Sequence, residues 1–227
     1  MSEEKTKQTK KMMVAAVRAD IPTLLESLPM YPTRLPICIQ GRAGIGKSET
    51  VAQVAERCRS EFYKDPENCR RVAEVLAPRH PTVAAVLKKH GATVWHYDFG
   101  VPMIMRRLAQ TMEGDVTGVP RIVARELGVN GNDKREVTQF KSLDWVLDGV
   151  EFPVVLFLDE RNRALDAVKQ AVFEMLDSHG FNGHAFHEDT RVYIAENIGD
   201  DYQVQALDPA EISRTALIHL EPSVQAW

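Results

Sequence analysis

Cysteine is scarce in this sequence. The three residues, Cys38, Cys58 and Cys69, show neither a CxxC pair nor the spacing of a zinc site. That argues against a disulfide framework and a structural zinc ribbon, and points to reduced thiols in a cytoplasmic protein. No apolar run approaches the ~20 residues that a helix needs to cross a bilayer. The N-terminus, Met-Ser-Glu-Glu-Lys-Thr-Lys, has no apolar signal core, so no membrane insertion is expected. An excess of positive charge is also missing. Lys+Arg total 28 against Asp+Glu 32, a net charge of −4, which disfavours a dedicated nucleic-acid coat while leaving a local basic patch open. There are no internal repeats and no low-complexity tract, and the ordinary hydrophobic and charged content rules out disorder throughout.

What is present is an ordinary globular mixture, 44% hydrophobic and 26% charged over 227 residues. A chain of this length buries a substantial core without staples. Residues 1–12 read as a solvated tail whose Lys5, Lys7, Lys10 and Lys11 serve solubility or touch nucleic acid, and 13–227 as one α/β core. Asp20–Leu28 predicts a short helix with Asp20 as N-cap and Pro22 in its first turn. Leu35–Ile39 is a short apolar run bounded by Pro36 and Gly41 and predicts a buried strand. Helical spacing follows over 48–62, and again over 65–90 with interruptions at Pro78 and Pro81. Thr93–Phe99 reads as a strand, with Trp95, Tyr97 and Phe99 as its core face, and 103–112 as a short helix. The stretch 114–135 reads as a long loop with a short helical piece. Val154–Leu158 predicts a strand buried on both faces, 164–178 a helix, Gly180–Thr190 a hairpin or surface loop, and Arg191–Ala195 and Ala216–Leu220 two further strands. Strands alternating with helices imply a parallel sheet whose ligands bind at the carboxyl ends of its strands.

Two motifs fall at such ends. Gly41-Arg42-Ala43-Gly44-Ile45-Gly46-Lys47-Ser48 satisfies G-x-x-x-x-G-K-[ST] at every fixed position. It follows an apolar strand and opens an amphipathic helix, the context in which that pattern cradles phosphate. The glycines let successive N–H groups converge on phosphate oxygens, Lys47 reaches the β- and γ-phosphates, and the Ser48 hydroxyl suits Mg²⁺. The second motif is Val154-Val-Leu-Phe-Leu-Asp159-Glu160, two carboxylates at the end of a buried strand, the Walker B pattern. Asp159 would hold Mg²⁺ and Glu160 would polarise an attacking water. A water-activating glutamate suits a hydrolase better than a small-molecule kinase.

With these motifs the sequence resembles the AAA+ ATPases, and within them the MoxR-like group. The resemblance covers roughly residues 20–227. It is carried by GRAGIGKS at 41–48, by GDVTGVP at 114–120 with Asp115, Gly118 and Pro120, by FLDERNRA at 157–164, and by IAENIGDDYQVQALDPAEISR at 194–214. It implies a five-stranded parallel sheet of order 5-1-4-3-2 flanked by helices, with ATP and Mg²⁺ as ligands. It implies Asn197 as the sensor-1 residue that holds the attacking water with Glu160. It also implies Arg214 as the arginine finger serving a neighbouring subunit, at the end of a short helix starting near Leu207. The assembly it implies is a homo-oligomeric ring, a hexamer, that remodels a protein partner, often with a von Willebrand factor A-type protein. The chain stops at Trp227, about where the family's helical lid begins, so that lid and its sensor-2 arginine are expected to be truncated or absent. A nucleic-acid motor such as a helicase loader, or an assembly module with weak turnover, shares the same ATP chemistry and is the alternative.

Weaker signals have two readings each. Asp115 caps a helix or takes part in the site, and Asn197 is a turn residue or the sensor. Arg161 and Arg163 read as solvated rather than as contacts to a neighbour, and Arg214 reads as a surface arginine if it is not the finger. Phe181 and Phe186 pack the 180–190 hairpin onto the core or, where such a hairpin lines a ring's pore, grip substrate. His179, His184 and His187 cluster there without metal-site spacing.

Overall fold

The computed structural model describes residues 17–127, 133–198 and 214–221. Strand β1 (Val17–Ala19) leads into helix α1 (Ile21–Ser27), which is capped as expected: the Asp20 carboxylate accepts from the Thr23 N–H at 3.0 Å. Strand β2 (Ile37–Gly41) is buried at every position, as a strand with parallel neighbours on both sides must be. Helix α2 (Lys47–Arg57) puts Val51, Val54 and Ala55 into the core. Helices α3 (Pro66–Arg71) and α4 (Pro81–His90) each start on a proline, whose missing N–H costs nothing in a first turn. Then come β3 (Met103–Arg107), α5 (Gly114–Thr117), β4 (Val119–Leu127), β5 (Asp133–Lys141), α6 (Asp144–Glu151), β6 (Val155–Asp159), α7 (Asp166–Ser178), the short pair β7 (Gly180–Phe181) and β8 (His184–Ala185), β9 (Arg191–Asn197) and β10 (Ala216–Leu220).

Among the described residues the main sheet runs β1-β10-β2-β9-β6-β3 and is parallel throughout. Its inner part, β10-β2-β9-β6-β3, is the expected order 5-1-4-3-2. The sheet has six strands rather than five, because β1 adds to the β10 edge, with Val17 opposite Ile218. Parallel pairing brings the strand ends to one side. Gly41 lies opposite Asn197 and Asp159 opposite Arg107, so the two motifs and the end of β9 share one rim of the sheet.

Four expectations are corrected. Thr93–Phe99 is not a strand: Tyr97–Phe99 is a 3₁₀ turn, and Trp95 is buried with its indole N–H donating to the Gly100 carbonyl at 3.1 Å. The strand is Met103–Arg107, where a helix was expected. Its decisive partner, β6, lies some fifty positions away, outside any local window, and the Val155 N–H bonds Pro102 O at 2.9 Å to start the ladder. The Gly- and Asn-rich stretch after 114 is not a long loop. The short helix α5 is there, but β4 and β5 then pair antiparallel from Val119↔Lys141 to Leu127↔Asp133. The composition of 128–132 dominated the reading, and those residues lie outside the described ones. Helix 48–62 ends at Arg57, where Cys58 turns extended before a separate 3₁₀ turn capped by Ser60.

The β7–β8 hairpin resolves the readings of its side chains. Phe181 and Phe186 are both buried within the chain, so they pack the hairpin onto the body. Among the described residues no three His, Cys, Asp or Glu side chains gather as a metal site. Cys38, Cys58 and Cys69 are buried and none is in a disulfide. His179 closes α7 in a left-handed conformation (φ 49°), its ring edge-on to Phe186 at 5.7 Å. Burial holds its pKa below the usual 6.5, with Arg34 adding to the effect and the His187 carbonyl opposing it. A base whose pKa is depressed by folding takes up protons on unfolding. Its contribution is therefore complete above the ordinary histidine range and declines as pH falls below it. His179→Asn keeps a residue tolerant of that backbone and removes the titration. Between about pH 7 and about pH 5 the parent's Tm is expected to fall further than the variant's, and equal falls would remove His179 as a source of acid sensitivity.

Candidate active site

The loop between β2 and α2 turns through two left-handed glycines, Gly44 (φ 77°) and Gly46 (φ 90°). A β-carbon at either would be strained, which is why the motif demands glycine there. Gly46 is also the N-cap of α2, so the free N–H groups of that helix's first turn open onto the loop. Arg42, Ala43 and Gly44 are exposed, and Ile45 and Gly46 half-buried, which leaves the loop backbone accessible to a ligand. Lys47 is the exception, at 6% exposure. Its Nζ donates to Gly41 O at 3.0 Å, to Arg42 O at 2.9 Å and to Asn197 Oδ1 at 2.7 Å. Burial pushes its pKa down, while the Asp159 and Glu160 carboxylates pull it back up.

Strand β6 delivers the carboxylates. Four buried apolar residues precede a half-buried Asp159. Ser48 Oγ donates to Asp159 Oδ2 at 3.2 Å, and the Glu160 N–H donates to Asp159 Oδ1 at 2.9 Å. A hydroxyl and a carboxylate oxygen this close are hard donors of the kind Mg²⁺ takes, two from protein with the rest from phosphate and water. The pair assigned to Mg²⁺ therefore fits that ion. Glu160 has φ 56° and ψ 37°, a left-handed backbone that costs a non-glycine residue about 1–3 kcal/mol and tends to occur at working sites.

Asn197, the last residue of β9, is buried at 7% exposure. It is not a free turn residue, because its side chain meets Lys47 and its backbone is bracketed by Asn162. Asn162 Nδ2 donates to Asn197 O at 2.7 Å, and Asn162 Oδ1 accepts from the Asn197 N–H at 3.4 Å. Arg161, read as solvated, is buried and ion-paired: its Nη1 lies 2.6 Å from Glu196 Oε1. Arg163 is exposed, 3.8 Å from the Glu160 carboxylate. Asp115 lies within the first turn of α5 and is not its N-cap; its carboxylate accepts from the Met112 N–H at 3.0 Å. Arg214 lies against α7, ion-paired with Asp177 and 5.2 Å above the Phe173 ring. The helix expected from Leu207 lies outside the described residues.

Sequence reasoning missed Gln40, Glu196 and Asn162. The available signal was a charged residue within an otherwise apolar strand, Glu196 after Val192–Ala195. A buried charge demands a partner, and no spacing rule names which one.

No family model matches the chain, and no curated protein matches it. Solved structures resemble it at low identity. One is an inferred ATPase from Cytophaga hutchinsonii, with 14% identity, a TM-score of 0.47, and coverage of 91% of this chain and 47% of that one. NtrX from Brucella abortus, also solved with ADP and with ATP, gives 10% identity, a TM-score of 0.46, and 91% and 36% coverage. A point mutant of RuvB from Thermogota maritima gives 14% identity, a TM-score of 0.43, and 89% and 44% coverage. The chain thus spans less than half the length of each of these three proteins. Among the described residues no helix is long and apolar enough to cross a membrane.

Proposed function

We propose that this chain is a Mg²⁺-dependent ATP hydrolase of the AAA+ type, MoxR-like, that acts in a ring of its own copies to remodel a protein partner. One observation carries the hydrolase reading. Three segments distant in sequence, the phosphate loop, the end of β6 and the end of β9, meet through Ser48–Asp159 and Lys47–Asn197 contacts of 3.2 and 2.7 Å. The loop amides and Lys47 bind phosphates, and Ser48 and Asp159 hold Mg²⁺, which when bound neutralises phosphate charge. Glu160 takes the proton of the attacking water, and Asn197 orients that water. Arg214 belongs to this reading as a donor to a neighbouring copy's γ-phosphate. The ring, the remodelled partner and its von Willebrand factor A-type helper rest on the family resemblance.

The first test is binding and turnover of ATP by the parent and by Lys47→Ala. A charge-assisted hydrogen bond is worth about 1.5–3 kcal/mol, so the variant's Kd for ATP is expected to rise about 10- to 150-fold. Unchanged affinity would sink the phosphate-loop assignment. A parent that fails to hydrolyse ATP with Mg²⁺ would sink the hydrolase.

A further inference from the structure

Behind the proposed catalytic groups lies a buried network to which the motifs assign no role. Glu196 is 3% exposed and precedes Asn197 on β9. Its carboxylate accepts from two sides: Oε1 from Arg161 Nη1 at 2.6 Å and Oε2 from Gln40 Nε2 at 2.9 Å. Gln40 sits directly across the sheet from Glu196 and is the residue before Gly41, where the phosphate loop begins. Arg161 is the residue after Glu160. One carboxylate therefore joins the strand that starts the phosphate loop, the strand that ends in Asn197 and the turn that carries Glu160. The Asn162 amide repeats the link one residue on, gripping both backbone groups of Asn197.

Glu160 itself is held differently. Its side chain is partly exposed, and its backbone is in the left-handed region. Such a conformation persists in a non-glycine residue only where the surroundings over-determine it. The two residues that follow supply that constraint, since both are buried and both are anchored to the end of β9. We infer that Arg161, Glu196 and Gln40 form a buried clamp of positioning residues that fixes Glu160 and Asn197 relative to each other and to the phosphate loop. This role rests on the ATP hydrolysis proposed above and gives that reaction three residues that the motif chemistry leaves without a part. The physical case for a charged pair here is geometric. A planar guanidinium and a carboxylate with two engaged oxygens set direction as well as distance, whereas an apolar contact sets only distance.

The clamp acts through other residues, so its signature is a fall in kcat without loss of ATP affinity. Removing one partner strands a buried charge and endangers the fold, while neutralising both usually spares it. The double variant Arg161→Met/Glu196→Gln keeps an acceptor for Gln40. It is expected to bind ATP within about twofold of the parent and to turn over at least tenfold more slowly at saturating ATP, a loss within reach of a small misplacement of reacting groups. Arg161→Lys, which keeps the cation and loses the planar fork, gives a second route should the double variant not fold, and the same pattern is expected at smaller amplitude. Adding Glu160→Gln separates positioning from general stability. If the clamp works through Glu160, that substitution costs a smaller factor in the double-variant background than in the parent, because coupled groups are non-additive. A kcat within twofold of the parent, or an equal Glu160→Gln factor in both backgrounds, overturns the clamp and leaves the hydrolase standing. A parent without ATP turnover overturns the proposed function, and the clamp falls with it.

Discussion

Arg214→Ala is expected to bind ATP like the parent and to hydrolyse it about 10³–10⁵-fold more slowly, the range over which arginine fingers act in P-loop hydrolases. Within its own chain Arg214 is engaged with Asp177 and lies over Phe173, with both partners of the ion pair well exposed. An exposed pair of this kind contributes about 0–1 kcal/mol. A γ-phosphate presented by a neighbouring copy offers more charge and a bidentate geometry, so the guanidinium can exchange one partner for the other. The decisive experiment mixes two impaired variants, at an ATP concentration that the parent binds and Lys47→Ala does not. Lys47→Ala has a defective phosphate loop and an intact finger, and Arg214→Ala the reverse, so mixed interfaces pair a working loop with a working finger and some activity returns. Mixed assemblies that form and remain inactive would show that Arg214 does not act between copies. Asp177→Ala is the companion control, expected to leave turnover intact because it only removes a competitor for the guanidinium.

Glu160→Gln is expected to keep ATP and Mg²⁺ binding and to lower kcat about 10²–10⁴-fold, the usual contribution of a positioned general base. Gln is nearly isosteric and retains the backbone, so the Glu160 N–H contact to Asp159 Oδ1 survives while the proton acceptor is lost. Asp159→Asn separates the two acids, because it acts on the Mg²⁺-dependent part of ATP binding through its contact with Ser48. The left-handed backbone at 160 adds a check of a different kind. Glu160→Gly removes the carboxylate and relieves the strain together. It is expected to be as inactive as Glu160→Gln and no less stable than the parent on thermal unfolding. Turnover at the parental rate in Glu160→Gln would dismiss Glu160 as the base.

The phosphate loop and the acidic pair were legible in the sequence because each is a contiguous string whose chemistry is local. Glycine at 44 and 46 follows from the backbone the loop must adopt, and an apolar run ending in Asp159 and Glu160 can only be a buried strand delivering charge to a rim. Strands β2, β6 and β9 were legible for a related reason: a strand buried on both faces leaves an apolar run. The edge strand β3 was not, because Met103–Arg107 has no such run and is made a strand by its ladder to β6. The antiparallel pair β4–β5 was obscured by the Gly- and Asn-rich composition of the sequence between its strands. Asn197 and Arg214 came from resemblance to a family, and only for Asn197 does the structure add a contact with the phosphate loop of its own chain, at Lys47.

The sequence by itself determined the chemistry that could occur: which residues are candidates to offer amides and a cation to phosphate, an oxygen pair to a metal and a base to water, and that a parallel sheet presents them at one rim. The tertiary structure alone decided what stands behind them. Arg161, solvated on a sequence reading, is buried on Glu196, and Phe181 and Phe186 are core. The partner of a buried charge is chosen by strand register and not by sequence distance. Gln40, Arg161 and Glu196 meet because β2 and β9 pair with residue 40 opposite 196 and because the turn after β6 folds back toward them. Hydrophobic pattern and motif spacing are properties of short windows, whereas the pairing of a carboxylate with a guanidinium 35 residues away exists only once the sheet has formed.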